Sequence, residues 1–185
     1  LDYIEELGVD CLWLMPIFPP SHNDGSKGIT DFNGIQTEYG DMGDFEVLVN
    51  AVHLRGLKLM IDLEMSHTSD KHPWFVSAKN NPQSALRDYY VWSDTVLRYE
   101  GVRNLSSIPN QLNWHSNTEN SPYYWSRFSS ALPELNYDNL EIRTEMVKVL
   151  RFWLNKRVDG LCLSGLPFLF ERDEIVRIAD SLSKA

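Results

Sequence analysis

Two places in this chain bring together residue types that could do chemistry. Ser66 and His67 stand directly after an apolar run that holds Asp62, and Ser164 stands directly after another that holds Cys162. A serine near a cysteine suggests nucleophilic catalysis, but a serine hydroxyl holds its proton too tightly to attack without a base, and the flanking Leu163 and Gly165 supply none. Asp62 lies inside an apolar strand, where a carboxylate without a partner is costly, so a partner or a carboxyl kept protonated is expected. His53, His72 and His115 have carboxylates nearby but not the spacing that ligates an ion, so no metal is expected. The aromatics Trp74, Phe75, Tyr89, Tyr90, Trp92, Tyr123, Tyr124 and Trp125 could stack on sugar rings. Their segment has few aliphatics and aromatics bury the largest apolar areas, so they are read instead as its core.

These groups must be placed by regular elements. Residues 1 to 7 read as the end of a helix closed by Gly8, and residues 9 to 17 form a nearly continuous apolar run stopped by Pro19 and Pro20, the pattern of a strand buried on both faces. After a polar, glycine-rich stretch from 21 to 40, residues 44 to 53 have helical spacing that ends at Gly56, and a second buried strand covers 57 to 63. Residues 68 to 139 show no sustained period. Glu141 to Lys156 then place Ile142, Met146, Val149, Leu150, Trp153 and Leu154 on one helical stripe, a third strand covers 158 to 163, and a short helix is expected over 173 to 183. This βα alternation predicts an α/β fold with parallel strands and helices outside them. Half of a doubly wound sheet and part of a closed barrel both fit. No glycine-rich fingerprint follows any strand, whereas polar groups stand where barrel chemistry is found, at the carboxyl ends of strands, so the barrel is favoured.

Composition narrows the function. The 185 residues are 43% hydrophobic, enough for a domain with a true core, and no internal repeat or low-complexity tract interrupts them. A formal charge of -9 with no basic patch repels phosphate backbones and anionic membrane surfaces, which makes a nucleic-acid partner improbable. No apolar run approaches the roughly 20 residues of a bilayer span, and the first residues lack a leader pattern, so a cytoplasmic protein is expected. Cys11 and Cys162 each sit in an apolar run and read as buried small hydrophobes rather than a bridge. The triplet Asn104-Leu105-Ser106 is near what chance supplies.

A longer set of motifs carries a resemblance. Asp62-Leu63-Glu64-Met65-Ser66-His67-Thr68-Ser69-Asp70 with His72-Pro73-Trp74-Phe75, then Asp88-Tyr89-Tyr90-Val91-Trp92, Tyr123-Tyr124-Trp125, Pro133-Glu134-Leu135-Asn136-Tyr137-Asp138-Asn139, Leu150-Arg151-Phe152-Trp153-Leu154, Val158-Asp159-Gly160 and Pro167-Phe168-Leu169-Phe170-Glu171-Arg172 resemble the α-amylase superfamily, glycoside hydrolase family 13, in order and spacing. The Pro-Glu-Leu-Asn and Phe-Leu-Phe-Glu-Arg segments are most similar to trehalose synthases, α-glucosidases and oligo-1,6-glucosidases. The resemblance implies that residues 1–67 and 140–185 are part of a (β/α)8 TIM barrel, about its strands 2 to 4 with their helices, and that 68–139 is a small inserted domain after the third barrel strand.

It also implies a damaged site. The family pattern Asp-Gly-Phe-Arg-Leu-Asp-Ala corresponds here to Asp159-Gly160-Leu161-Cys162-Leu163-Ser164-Gly165, so the nucleophile position holds Ser164 and the arginine position holds Cys162. The acid/base glutamate and the third carboxylate belong to strands five and seven, which these residues do not include. The pattern Gly-Tyr-Asp-Ile corresponds to Ser26-Lys27-Gly28-Ile29, followed by the retained Thr30-Asp31-Phe32, which removes two sugar contacts. Ser66 replaces the asparagine that ligates calcium in some members, and Leu132-Pro133-Glu134-Leu135-Asn136 replaces Gln-Pro-Asp-Leu-Asn. His67 and Asp62 remain as vestigial substrate-binding positions, His67 either as a donor to a sugar hydroxyl or as a satisfied loop histidine.

Three functions follow as expectations. The first is an α-glucan-family domain or fragment without activity of its own, with weak affinity for an α-glucoside or α-glucan at most. The second is a segment of a glucoside hydrolase or isomerase completed by further sequence. The third is a non-catalytic interaction module like the ectodomains of amino-acid-transporter heavy chains. No cofactor is expected. With only part of a barrel, the chain is expected to self-associate or to need a complementary barrel segment.

Overall fold

The computed structural model describes residues 1–21, 28–99, 101–106, 111–116 and 122–170. The helix expected over 173 to 183, Ser26 and Lys27, and the Glu171-Arg172 ending lie outside the described residues.

Helix α1 (Asp2–Glu6) ends ahead of Gly8, which takes a left-handed φ of 71°, and leads into strand β1 (Cys11–Leu14). Helix α2 (Met42–Leu54) begins at a capping box: the Asp41 carboxylate accepts from the Gly43 and Asp44 N–H groups, and Asp44 accepts from the Asp41 N–H. Strand β2 (Lys58–Glu64) follows directly, then helix α3 (Pro73–Asn80) and the short strands β3 (Trp92–Ser93), β4 (Trp114–His115) and β5 (Tyr123–Trp125). Helix α4 (Leu140–Asn155), capped by the Asn139 side chain on the Glu141 N–H, leads into strand β6 (Gly160–Ser164).

Strands β1, β2 and β6 form one parallel sheet in that order, and β3, β5 and β4 form a small antiparallel one. Strand β2 is central, and its alternation decides the layering. Leu59, Ile61 and Leu63 face the helices and are fully buried against a cluster that includes Val49 and Val52 of α2 and Ile142, Met146 and Trp153 of α4. Each such side chain contributes roughly 1.5 to 3 kcal/mol of burial. Trp153 packs T-shaped against Phe18 and Phe45 and donates its indole N–H to the Phe32 carbonyl at 2.8 Å, which pins α4 to the loop after β1.

The other face of the sheet is not covered. Strand β1, expected to be buried on both sides, exposes alternate residues, with Trp13 54% accessible. Cys11 and Cys162 are correspondingly exposed and half-buried free thiols rather than core residues. An unbroken apolar run cannot distinguish a strand between two layers from one whose second layer is absent. Leu154, placed on the buried stripe of α4 by its spacing, is exposed, and Leu150 is half-buried. The fold is therefore part of a (β/α)8 barrel with no closure among the described residues, as three parallel strands and one bare inner face require. No helix among the described residues is long and apolar enough to cross a membrane.

The segment without sustained period contains α3, which the pattern did not reveal because it is two turns long and buries only Phe75 and Ala78. Of its aromatics, Phe75, Tyr89, Tyr90, Tyr124 and Trp125 are buried and Trp74, Trp92 and Tyr123 half-buried, but most of them do not form the separate core expected of the segment. Phe75, Tyr89, Tyr90 and Tyr124 belong to the same apolar cluster as the parallel sheet, while Tyr99, Trp114 and Trp125 form a satellite. An isolated antiparallel bridge of His67 with Glu134 and the Leu135 N–H on the Ser66 carbonyl fasten the segment to the end of β2, and a second bridge, Tyr90 with Leu135, closes the segment on itself.

Two outcomes follow from this architecture. At roughly 25 cal/mol per Å2, even a few hundred Å2 of bare inner face is worth several kcal/mol, comparable with a domain's net stability. The isolated chain is expected to self-associate in sedimentation at micromolar concentration, and a stable monomer with one sharp unfolding transition would contradict this. The second concerns His72, which caps α3 by accepting the Trp74 N–H at 3.1 Å between the rings of Phe32 and Trp74. Burial lowers its pKa from 6.5 to about 4 against the opposing pull of Asp31. A histidine depressed in the folded state stabilises above its unfolded pKa and loses that contribution as pH falls from 6.5 toward 4. Between pH 7 and pH 5 the loss is about 2 kcal/mol. The protection factors of the α3 amides, with the intrinsic pH dependence of exchange divided out, should fall as pH drops across that range in the native chain, and much less in His72→Asn, which keeps an acceptor for the cap without a titrating ring.

Candidate functional site

The carboxyl ends of β2 and β6 carry the groups singled out in the sequence. Partners in a parallel ladder project to the same side, and the register pairs Asp62 with Cys162 and Glu64 with Ser164. All four side chains therefore share the face turned away from the helices. The Ser164 hydroxyl donates to Asp62 Oδ1 at 2.8 Å. This corrects the expectation that Ser164 has no base against it, since the neighbours in sequence supply none but the adjacent strand does. It also supplies the partner expected for Asp62, which is half-buried. The pair is a poor nucleophile generator all the same, because a serine with a carboxylate alone lacks the imidazole or amine base that draws off its proton in serine nucleophiles.

Just beyond the strand the chain folds into a tight polar knot. Glu64 Oε1 accepts the backbone N–H of Ser66 at 2.9 Å and the Ser66 hydroxyl at 2.8 Å, and Ser66 Oγ lies 3.0 Å from His67 Nδ1. A serine hydroxyl has one proton, so with that proton on Glu64 the third contact is a donation from His67 Nδ1–H. His67 is buried at 2% exposure, its ring tilted against Phe128. The Tyr137 hydroxyl donates to the Met65 carbonyl at 2.7 Å and closes the knot from below, and burial, reinforced by the Glu64 charge, raises its pKa.

Sequence reasoning missed two groups here. Glu64 stands in the sequence only as one residue of a motif, and the signal that could have found it is its place two residues after Asp62, on the same face of a strand. The other is the ion pair of Arg127 with Glu134, both about 3% accessible at the side chain. Glu134 accepts from Arg127 Nε and Nη2 at 2.8 and 3.0 Å, from the Arg127 N–H at 2.9 Å and from the Trp125 indole at 3.1 Å. Through its bridge to His67 it ties the antiparallel sheet to the site. Of the retained triplet, Thr30 bonds the Pro19 carbonyl, Asp31 accepts the Asn33 N–H and Phe32 is buried, so all three serve the loop after β1. The described residues contain no group of three or more His, Cys, Asp or Glu side chains able to hold a metal ion.

A parallel α/β sheet with its polar groups at the carboxyl strand ends, and an aromatic, partly antiparallel excursion after the second of its strands, defines a barrel-type segment. The chain belongs to the α-amylase family: its residues 1–178 match the family described as alpha amylase, catalytic domain. It is 43% identical over 173 residues to the trehalose synthase/amylase of Mycobacterium tuberculosis, covering 94% of this chain and 29% of that protein. It is 38% identical over 175 residues to the oligo-1,6-glucosidase of Parageobacillus thermoglucosidasius, covering 95% and 31% respectively. The crystal structure of isomaltulose synthase from Klebsiella sp. LX3 superposes with a TM-score of 0.84 at 34% identity, covering 94% of this chain and 31% of that one. Trehalose-6-phosphate hydrolase of Bacillus licheniformis does so with a TM-score of 0.78 at 35% identity, covering 88% and 29%. The chain thus spans a little under a third of the length of these relatives.

The geometry predicts how the site answers to substitution. Ser164→Asp would set a third carboxylate beside Asp62 and Glu64 with Cys162 where a cation would be needed, and like charges at that spacing cannot all ionise cheaply. A loss of about 1 to 3 kcal/mol is expected, and Cys162→Arg in the same chain should restore much of it. Thermal melting of the two single variants and the double variant checks this, and additive effects would contradict it.

Proposed function

We propose that the chain is a trehalose-synthase- or α-glucosidase-like carbohydrate domain of the α-amylase family without catalytic activity of its own. One observation carries this reading: at the end of β6, where the family pattern asks for a nucleophilic carboxylate, stands a serine hydroxyl already committed as a donor to Asp62 at 2.8 Å. Retaining glycosidases need a carboxylate nucleophile with a carboxylic acid about 5 to 5.5 Å away. Ser164 cannot supply the first, and the hydroxyl–aspartate pair offers no substitute for it. Asp62 and His67 support weak contact with an α-glucoside or α-glucan at most, since one is taken up by Ser164 and the other is buried. The bare inner face of the sheet supports a partner that is either a second copy or a complementary barrel segment. The exposed free thiol of Cys11 suits a reducing compartment and favours the cytoplasm.

The test is an assay of the purified chain on maltose, trehalose and a nitrophenyl α-glucoside. Neither hydrolysis nor isomerisation above background is expected. Ser164→Asp should stay inactive as well, because it restores a nucleophile without the acid that protonates the leaving oxygen. Turnover that tracks with the pure protein through fractionation would overturn the proposal.

A further inference from the structure

The inserted segment holds a cavity that the reading above does not use. Its volume is about 490 Å3, within the range that takes a small ligand, and none of its lining residues belongs to β2 or β6. Helix α3 brings Lys79 to it, β4 brings His115, β5 brings Tyr124, and the loops before α3 and after β5 bring Asp70 and Ser130. This frame is fixed. Phe75 of α3 packs T-shaped on Tyr124 with ring centroids 5.0 Å apart, the Tyr124 hydroxyl donates to the Ser130 carbonyl at 2.8 Å, and the Asp70 N–H donates to the Ala131 carbonyl at 2.9 Å.

Three lining residues keep hydrogen-bonding capacity to spare. His115 Nε2 lies 3.1 Å from the Ser126 carbonyl, which can only accept, so that nitrogen carries the proton. Burial lowers the His115 pKa against the weaker opposing effect of that carbonyl, so the ring is neutral at pH 7 and its Nδ1 is an open acceptor. The Lys79 ammonium, 5.8 Å from the centre of the Phe75 ring, has no carboxylate within ion-pair reach among the described residues. Asp70 meets the exposed Lys71 at 3.1 Å through Oδ2 and Ser69 Oγ at 3.4 Å through Oδ1, contacts that leave each oxygen a lone pair.

These groups define a ligand by charge and by the direction of its hydrogen bonds. An anion would meet Asp70 and a ring nitrogen with no proton to offer, and a cation would meet Lys79. A neutral molecule whose hydroxyls donate to Asp70 and His115 and accept from Lys79 suits all three. We infer that this cavity is a binding site for a neutral mono- or disaccharide, separate from the strand ends, with Asp70, Lys79 and His115 as its hydrogen-bonding residues. The choice of a sugar among neutral hydroxylated molecules rests on the reading of the chain as a carbohydrate domain, whereas the exclusion of ions does not.

The experiment uses the full chain labelled with 15N in its histidine rings, titrated at one pH with glucose and with maltose. The readout is the His115 signals, identified by their loss in His115→Gln. At least one sugar should give a saturable shift at His115 Nδ1, and inorganic phosphate and methylammonium should give none. Lys79→Met and Asp70→Asn should each weaken the sugar's affinity at least about tenfold, the effect of losing a hydrogen bond to a charged group. Lys79 is exposed and Asp70 half-buried, and the His53 and His72 signals report whether each variant is folded. If one variant fails to fold, the other decides, and if both fail, the native titration with sugars against ions decides alone. A saturable shift with either ion, no shift with either sugar, or a sugar affinity unchanged in the folded variants overturns the site. Turnover of a glucoside would overturn the proposed lack of activity and leave this titration intact. Sugar-dependent shifts confined to His67 would overturn the site and leave the carbohydrate reading standing.

Discussion

The pairing of β2 with β6 is the contact on which the rest of the molecule depends. It joins segments about a hundred residues apart and aligns five consecutive pairs, from Met60 with Gly160 to Glu64 with Ser164. Closing so long a loop costs chain entropy before any contact compensates, so the ladder must be fixed at both ends. At the amino end the Asp159 carboxylate accepts the Leu59 N–H and bonds His53 and Lys58. Its partial burial would raise its pKa, but the Leu59 N–H, His53 and Lys58 outweigh that and hold it well below the usual carboxylate range. At the carboxyl end the Met65 N–H bonds the Ser164 carbonyl at 3.0 Å. Between them, Leu59, Ile61 and Leu63 supply the apolar burial that makes the register unique, since a slip of one residue would send them to the bare face and Asp62 and Glu64 into the core.

From this register the antiparallel segment takes its position. Its attachment runs through the backbone bridge of Glu134 with His67, the Leu135 N–H on the Ser66 carbonyl and the Tyr137 hydroxyl on the Met65 carbonyl, while the Tyr90–Leu135 bridge and the buried Arg127–Glu134 pair hold the segment itself together. A buried ion pair of this kind adds little net stability over an apolar replacement, but losing either partner strands a charge, so it fixes the geometry more than it strengthens it. The guanidinium also lies over the Phe168 ring at 4.7 Å, and Phe128 meets both Phe168 and His67. The segment after β2 and the loop after β6 therefore converge on the same strand ends.

How much of this was legible in the sequence depends on the distance over which each signal acts. Helices α2 and α4 were readable because Phe45, Val49 and Val52, and Ile142, Met146, Val149 and Trp153, recur at helical spacing and face one core. The three parallel strands were readable as apolar runs, but not which of their faces is bare: Leu12 and Trp13 are both apolar, and only the fold makes one half-buried and the other exposed. Helix α3 escaped because its clearest marker is a cap, His72 on the Trp74 N–H, rather than a period. The bond between Asp62 and Ser164 was illegible for another reason. It exists only in the register, and neither residue carries a local sign of the other.

That bond also explains why the substitutions at the mouth go together. With Cys162 beside Asp62 there is no guanidinium to balance a carboxylate at the next position of β6, and Glu64 already occupies the matching position of β2. A hydroxyl at 164 is then the residue that asks least of the site. It adds no charge, it donates to the aspartate beside it, and it leaves the end of the strand free for Glu64 to fold across Gly165. Ser66 does for Glu64 what Ser164 does for Asp62. Two carboxylates are thus held on one face by two hydroxyl donors and the Ser66 N–H, an arrangement that is consistent within itself. An acid at 164, introduced without a cation at 162, would unbalance it.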